Sequence, residues 1–180
     1  MDMSMSEMWE RGALMLRLAT TPNPTFEELE RMVESRSASM DELRYRLWWM
    51  WNLAELPTMD HSTDRWKAMF RQVGYFEKAS LNEMIPIAAE RPEKVRTLYR
   101  GATARTSRGM SWTPFARTAA LHAAKSENRK VWMVENVPSA MLLARWNDTS
   151  AWYAETEYIL DLPSDYPVTE FDASTSRISA

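Results

Sequence analysis

The chain has 180 residues, 45% of them hydrophobic and 26% charged, with a formal net charge of −3. That is about one globular domain, and the charge excludes a generally basic nucleic-acid binder, which needs cations to displace phosphate counterions. With no cysteine, two histidines and four glycines, the sequence has no disulfide, thiol nucleophile or cysteine-ligated metal. It also has no HExxH, GxGxxG or P-loop pattern.

The first half reads as helices. Glu7 to Ala19 places Met8, Trp9, Ala13, Leu16 and Ala19 near a 3.6 period. Thr21-Pro22-Asn23-Pro24 interrupts it. Thr25 with Glu28 forms a capping box ahead of a second helix bearing Phe26, Leu29, Met32 and Val33. Ser39 with Glu42 is read the same way for a third, whose stripe is Leu43, Leu47, Met50, Trp51 and Ala54, ending at Leu56-Pro57. Ser62 or Thr63 caps a fourth, with Trp66, Met69, Phe70 and Val73 inward and Gly74 at its end. Trp48, Trp49 and Trp51 cannot share one helical face. Trp48 and Trp51 can, and Trp49 points elsewhere; packing is the favoured reading, and each buried indole N–H needs a partner.

From about Val95 the pattern changes to short β-type runs: Thr97–Tyr99, Met110–Thr113, Val131–Val134 and Tyr158–Leu160. A helix from Pro114 to Ser126 has Thr113 as cap and Pro114 as first residue. Pro138 to Arg145 reads as a short helix, and Val168 to Phe171 as an edge strand before a fraying tail. The fold class is α+β, with a helical region over residues 1–94 and a β core over 95–180 forming one unit. No window is long and apolar enough to span a membrane. The N-terminus lacks a secretory pattern, so the expectation is a cytoplasmic protein with no membrane partner.

Charge is segregated. Residues 98–145 hold eight Lys/Arg and two Asp/Glu, whereas residues 146–180 hold one Arg and seven Asp/Glu. Such segregation arises from two solvated faces or from a cleft with a cationic and an acidic wall. A cationic wall suits a phosphorylated ligand. The acidic balance of residues 1–97 argues against nucleic acid as a partner for the tryptophan cluster.

Three pieces carry candidate chemistry: Tyr99-Arg100-Gly101, Gly109-Met110-Ser111-Trp112-Thr113 and Glu155-Thr156-Glu157. Each opens or closes an expected strand. Arg100 offers a planar fork of donors, Ser111 and Thr113 offer hydroxyls, and two carboxylates two apart on a strand share one face. Gly109 to Thr113 falls one glycine short of a G-x-S-x-G nucleophile elbow, and His122 sits too close downstream to serve as its base.

In this order the pieces resemble the Arg–Ser–Glu triad of mono-ADP-ribosyltransferases, over residues ~95–163. The flanking Gly109, the Ala-rich helix after Trp112 and Ile159-Leu160-Asp161 fit the same pattern. The resemblance implies a small split mixed sheet that binds NAD as co-substrate in a cleft. It implies Glu157 as the carboxylate facing an oxocarbenium-like ribose and Glu155 as the residue that orients the acceptor, with a hint of an arginine target. It also implies NAD contacts from Tyr99, Arg100, Gly101, Ser111, Trp112 and Thr113, and a protein acceptor. Small members of this kind are toxins or bacteriophage proteins that modify a host. The rival expectations are an NAD glycohydrolase and a non-catalytic binding or inhibitory protein. The 14 Met and nine Trp suit the adaptable contact surfaces of that last class.

Overall fold

The computed structural model describes residues 4–53, 61–78, 85–148 and 155–172; the side chains of Glu7, Asp148 and Glu155 lie outside the description. The elements run α1 (Met5–Thr20), α2 (Phe26–Ser35), α3 (Met40–Leu53), α4 (Thr63–Val73), β1 (Phe76–Lys78), β2 (Ile87–Ala88), β3 (Lys94–Thr103), β4 (Ser111–Trp112), α5 (Ala116–Ala123), β5 (Arg129–Pro138), β6 (Leu142–Asp148), β7 (Glu155–Leu160) and β8 (Thr169–Glu170). Short 3-10 turns occupy Ala104–Thr106 and Ser139–Met141.

The strands form two sheets, one ordered β2-β1-β6-β7-β4 and the other β3-β5-β8. The architecture is α+β in four layers. Helices α2, α3 and α4 cover one face of the five-stranded sheet through a core that includes Leu29, Leu47, Trp51, Trp66, Phe70, Phe76, Trp146 and Ile159. The opposite face meets the three-stranded sheet through Leu98, Trp112, Val134, Leu142, Tyr158 and Leu160. Helix α5 covers the outer side of the smaller sheet, with Ala119 and Ala123 against Val131 and Tyr99. Trp66 and Phe70 have no solvent-exposed surface, and each contributes about 2–3 kcal/mol of burial free energy. One core therefore runs through both halves of the chain, and β1 and β2 of the larger sheet precede residue 95.

Local signals place the helices. The Thr25 hydroxyl accepts from the Glu28 N–H at 3.3 Å, and Glu28 Oε2 accepts from the Thr25 N–H at 2.8 Å. Ser62 caps α4 by accepting from the Arg65 N–H. The buried residues of α4 are the four expected ones, Trp66, Met69, Phe70 and Val73. At Ser39 the box is half formed. The hydroxyl accepts from the Glu42 N–H at 3.3 Å, but the Glu42 carboxylate turns inward to Arg46 at 3.0 Å and to Arg17 of α1 at 3.1 Å. A carboxylate this buried is retained only with charged partners, and these outcompete the cap.

Several expectations are corrected. In α1 the inward residues are Leu14 and Leu18, while Met8, Trp9 and Leu16 are exposed. The expected stripe therefore lies on the outer face, because Leu14 and Leu18 meet Ile85. The segment Pro138–Arg145 is a 3-10 turn followed by strand β6, not a helix. Its Leu-Leu-Ala run has helical propensity, yet it lies between β1 (parallel) and β7 (antiparallel). A register shift between Leu142 and Ala144 lets Leu142 face the inter-sheet core while Leu143 and Ala144 serve the helical one. Pairing and burial override propensity here.

Helix α5 starts at Ala116 with Phe115 as its cap, not at Pro114 with Thr113. Thr113 stays paired with the backbone of Tyr99, by bonds of 2.7 and 2.9 Å, so the chain turns into the helix only afterwards. Strands β1 and β2 were not anticipated, being three and two residues long. The expected edge strand is present as β8. Ala54 and the Leu56-Pro57 stop lie outside the described residues, as does the tail beyond Asp172. Among the described residues, no helix is long and apolar enough to cross a membrane.

Candidate active site

The two sheets separate at an isolated bridge between Tyr99 of β3 and Thr113 after β4. Three of the singled-out residues meet at this split. Arg100 follows Tyr99 on β3, Ser111 opens β4, and Glu157 lies on β7, which pairs with β4 through Ser111–Ile159 and Trp112–Tyr158. Strand alternation gives Ser111, Ile159 and Glu157 one face of the sheet. Ser111 lies on the Glu157 side of the sheet and helps to lower the pKa of its carboxyl.

Two indoles donate hydrogen bonds to Glu157. Trp146 Nε1–H of β6 donates to Oε2 at 2.7 Å, and Trp51 Nε1–H of α3 donates to Oε1 at 3.3 Å. Burial pushes the Glu157 carboxyl above its usual range; the bonds from Ser111, Trp51 and Trp146 and the charge of Arg100 pull it back down. Neither tryptophan was singled out as a site residue. The signal for Trp51 was the crowded Trp48–Trp51 run and the need of a buried indole for a partner. Trp146 gives none, since it follows Pro138–Arg145, where a helix rather than strand β6 is expected. Trp48 lies under the Lys78 ammonium, 4.8 Å from the ring centre, and Trp49 stacks on Tyr45.

Arg100 is clamped at its own loop. Nε–H donates to the Thr106 carbonyl at 3.1 Å and Nη1–H to the Ser111 carbonyl at 2.6 Å, using two of the guanidinium's five N–H donors. Burial lowers its pKa to about 10, with the Glu157 charge opposing and Arg129 assisting; it stays cationic at neutral pH. Gly109 makes room for it, since a Cβ there would lie 2.6 Å from Arg100 Cζ.

Gly101 answers a packing need. A Cβ on it would lie 2.6 Å from Ala123 N and 2.8 Å from His122 Cβ, so its bare α-carbon is what seats α5. The Tyr99 N–H and C=O both turn to Thr113, and alternation along β3 turns those of Gly101 toward the same edge. Tyr99 itself faces α5 and Phe171, with ring centres 4.9 Å apart. It is thus a wall residue of the outer layer, not a neighbour of Glu157. The Thr113 hydroxyl accepts from the Phe115 N–H at 3.3 Å, which steadies the turn into α5.

Trp112 takes the packing position that its alternation away from Ser111 and Thr113 allows. It is 1% exposed, packs in the inter-sheet core, and donates its indole N–H to the Gly109 carbonyl at 2.7 Å; it offers no surface for a ligand to stack on. Glu155 opens β7 two residues before Glu157, and its side chain lies outside the description.

Two surface depressions lie away from this centre. One of about 700 Å³ is bordered by Ala124, Arg129 and Phe171, the other of about 620 Å³ by Arg44, Tyr75 and Arg91. Among the described residues no cluster of three or more His, Asp or Glu is placed to hold a metal. Comparison with protein-family models, with curated proteins and with solved structures found no match to this chain.

Proposed function

We propose that the protein is an NAD-dependent mono-ADP-ribosyltransferase acting on a protein acceptor inside a cell. The observation that carries this reading is the convergence of Arg100, Ser111 and Glu157, from three strands, at the split between two small sheets. The donor set fits a dinucleotide with a sugar–diphosphate body. Arg100 keeps guanidinium donors beyond its loop bonds for phosphate or ribose oxygens. The edge of Gly101 can pair with a carboxamide, and Ser111 couples a ribose hydroxyl to the carboxylate. In the reaction the bond between nicotinamide and ribose C1′ breaks, and nicotinamide leaves with the electron pair. An acceptor nucleophile then bonds to C1′ and gives up its proton. Glu157 faces the positive charge that develops on the ribose, fixed in place and partly shielded from water. Glu155 is assigned to the acceptor.

The test is nicotinamide release from NAD by the purified protein and by Glu157→Gln, with and without a bacterial lysate and labelled NAD. Release that depends on Glu157, with a labelled protein band, supports the transferase. Release without labelling supports the glycohydrolase. The two bonds from Arg100 to its own loop favour one further reading, a binding protein without catalysis. The absence of both nicotinamide release and a thermal shift by NAD would support that reading.

A further inference from the structure

Glu157 sits between two indoles from different layers of the molecule. Trp146 reaches Oε2 from the adjacent strand, where it is the cross-strand partner of Glu157. Trp51 reaches Oε1 from the helical layer. A carboxylate with a directional donor on each oxygen is held in one rotamer, and such donors favour its ionised form. An indole suits this duty in an apolar setting, because it donates one N–H, accepts nothing and cannot titrate. The aromatic bodies are themselves fixed. Trp51 packs edge-on against Trp66 and Phe70, at 5.1 and 5.6 Å between ring centres, and Trp146 is 6% exposed.

We propose that Trp51 and Trp146 are positioning residues of the candidate active site, holding one oxygen each of the Glu157 carboxylate so that it stays aimed into the site. This rests on the transferase reading for its catalytic consequence, though not for the bonds themselves. It gives the helical layer a direct role in the site, since Trp51 is supplied by α3 from 106 residues away in sequence.

The charged groups around Glu157 leave the indoles this task. Arg100 of β3 acts on it across the split. Lys78 of β1 lies beyond Trp146 in the same cross-strand row, since Lys78 pairs with Trp146 and Trp146 with Glu157. Arg145 of β6 faces Tyr158 on the opposite side of the sheet. Lys67 and Arg71 of α4 are engaged with Asp161. On α3, Glu42 and Arg46 pair with each other, as do Asp41 and Arg44.

The experiment follows the Glu157 carboxyl by carbon-13 NMR through a pH titration, in the wild type, Trp51→Phe and Trp146→Phe. Nicotinamide release is measured over the same pH range. Phenylalanine keeps an apolar ring and removes only the donor. Each variant is expected to raise the Glu157 midpoint by about one pH unit. The acid limb of nicotinamide release should move up by the same amount, with release on the plateau falling about 10-fold. A tryptophan that only packs would lower release at every pH and leave the midpoint in place; an unmoved midpoint in both variants overturns the proposal. Should the variants fail to fold, the wild type decides. Two of its nine indole N–H resonances must then shift together with the Glu157 carboxyl, at a common midpoint, and no such pair overturns the proposal. If the wild type releases no nicotinamide while the variant midpoints rise, the transferase reading fails and the holding role stands.

Discussion

Arg100 and Ser111 are 11 residues apart in sequence, and Nη1 of the first lies 2.6 Å from the carbonyl oxygen of the second. The intervening loop is short enough for one side chain to bridge, and a 3-10 turn at Ala104–Thr106 supplies the second acceptor. Arg100 thereby ties β3 to β4 at the point where the two sheets part. Any ligand it binds is met by a guanidinium whose position is already set.

Glu157→Gln is expected to lower nicotinamide release at least ~100-fold, because the developing charge loses its carboxylate. The stability consequence has a definite sign. The folded-state pKa of Glu157 is raised. Its stabilising contribution is therefore fully present below the ordinary glutamate value and is lost as pH rises through the folded value. The melting temperature of the variant minus that of the wild type should become more positive as pH rises from 4.5, the ordinary glutamate value, read by calorimetry at several pH values.

Gly109→Ala places a methyl group into the Arg100 guanidinium. The expected outcome is at least ~10-fold weaker NAD binding by calorimetric titration, since the planar fork must leave its position. The change in unfolding midpoint should be the smaller effect, because the displaced group is a side chain and not backbone.

Gly101→Ala meets backbone instead, the Ala123 N–H region of α5. Helix α5 must lift from β3. Destabilisation by about 2 kcal/mol, roughly 4–8 °C in melting temperature for a chain of this size, should be visible in urea or thermal unfolding.

Asp161 joins the end of β7 to α4, accepting from Lys67 at 3.0 Å and from Arg71 Nε–H at 2.7 Å. Burial alone would raise its pKa, but the bonds and charges of Lys67 and Arg71 hold it below the usual aspartate value. Its stabilisation is present above the ordinary value and is lost as pH falls through the lowered one. Asp161→Asn should cost no more than about 1 kcal/mol near neutrality, after allowance for solvent screening. That difference should vanish in acid, read as the pH dependence of the urea midpoint.

Glu155→Ala is expected to reduce labelling of the protein acceptor more than nicotinamide release. Equal loss of both, in parallel assays on the same preparation, would remove Glu155 from the acceptor role.

The helices were legible because their signals are local. Thr25 and Glu28 meet within one turn, and Trp66, Met69, Phe70 and Val73 share a face by period alone. The Arg100, Ser111 and Glu157 strands were legible for a similar reason, since alternation and flanking turns act over a few residues. What joins those strands is decided elsewhere. The meeting of β3, β4 and β7 depends on pairing between segments tens of residues apart, which no local pattern encodes. The same non-local pairing turned Leu142–Arg145 from helix to strand, brought Trp146 opposite Glu157, and buried Trp112 between the sheets. Trp51 reached Glu157 only because α3 packs on the larger sheet. The sequence by itself therefore determined which side chains could do chemistry and which turns could form. Tertiary packing decided which of them face one another, because burial and strand pairing are properties of the assembled layers.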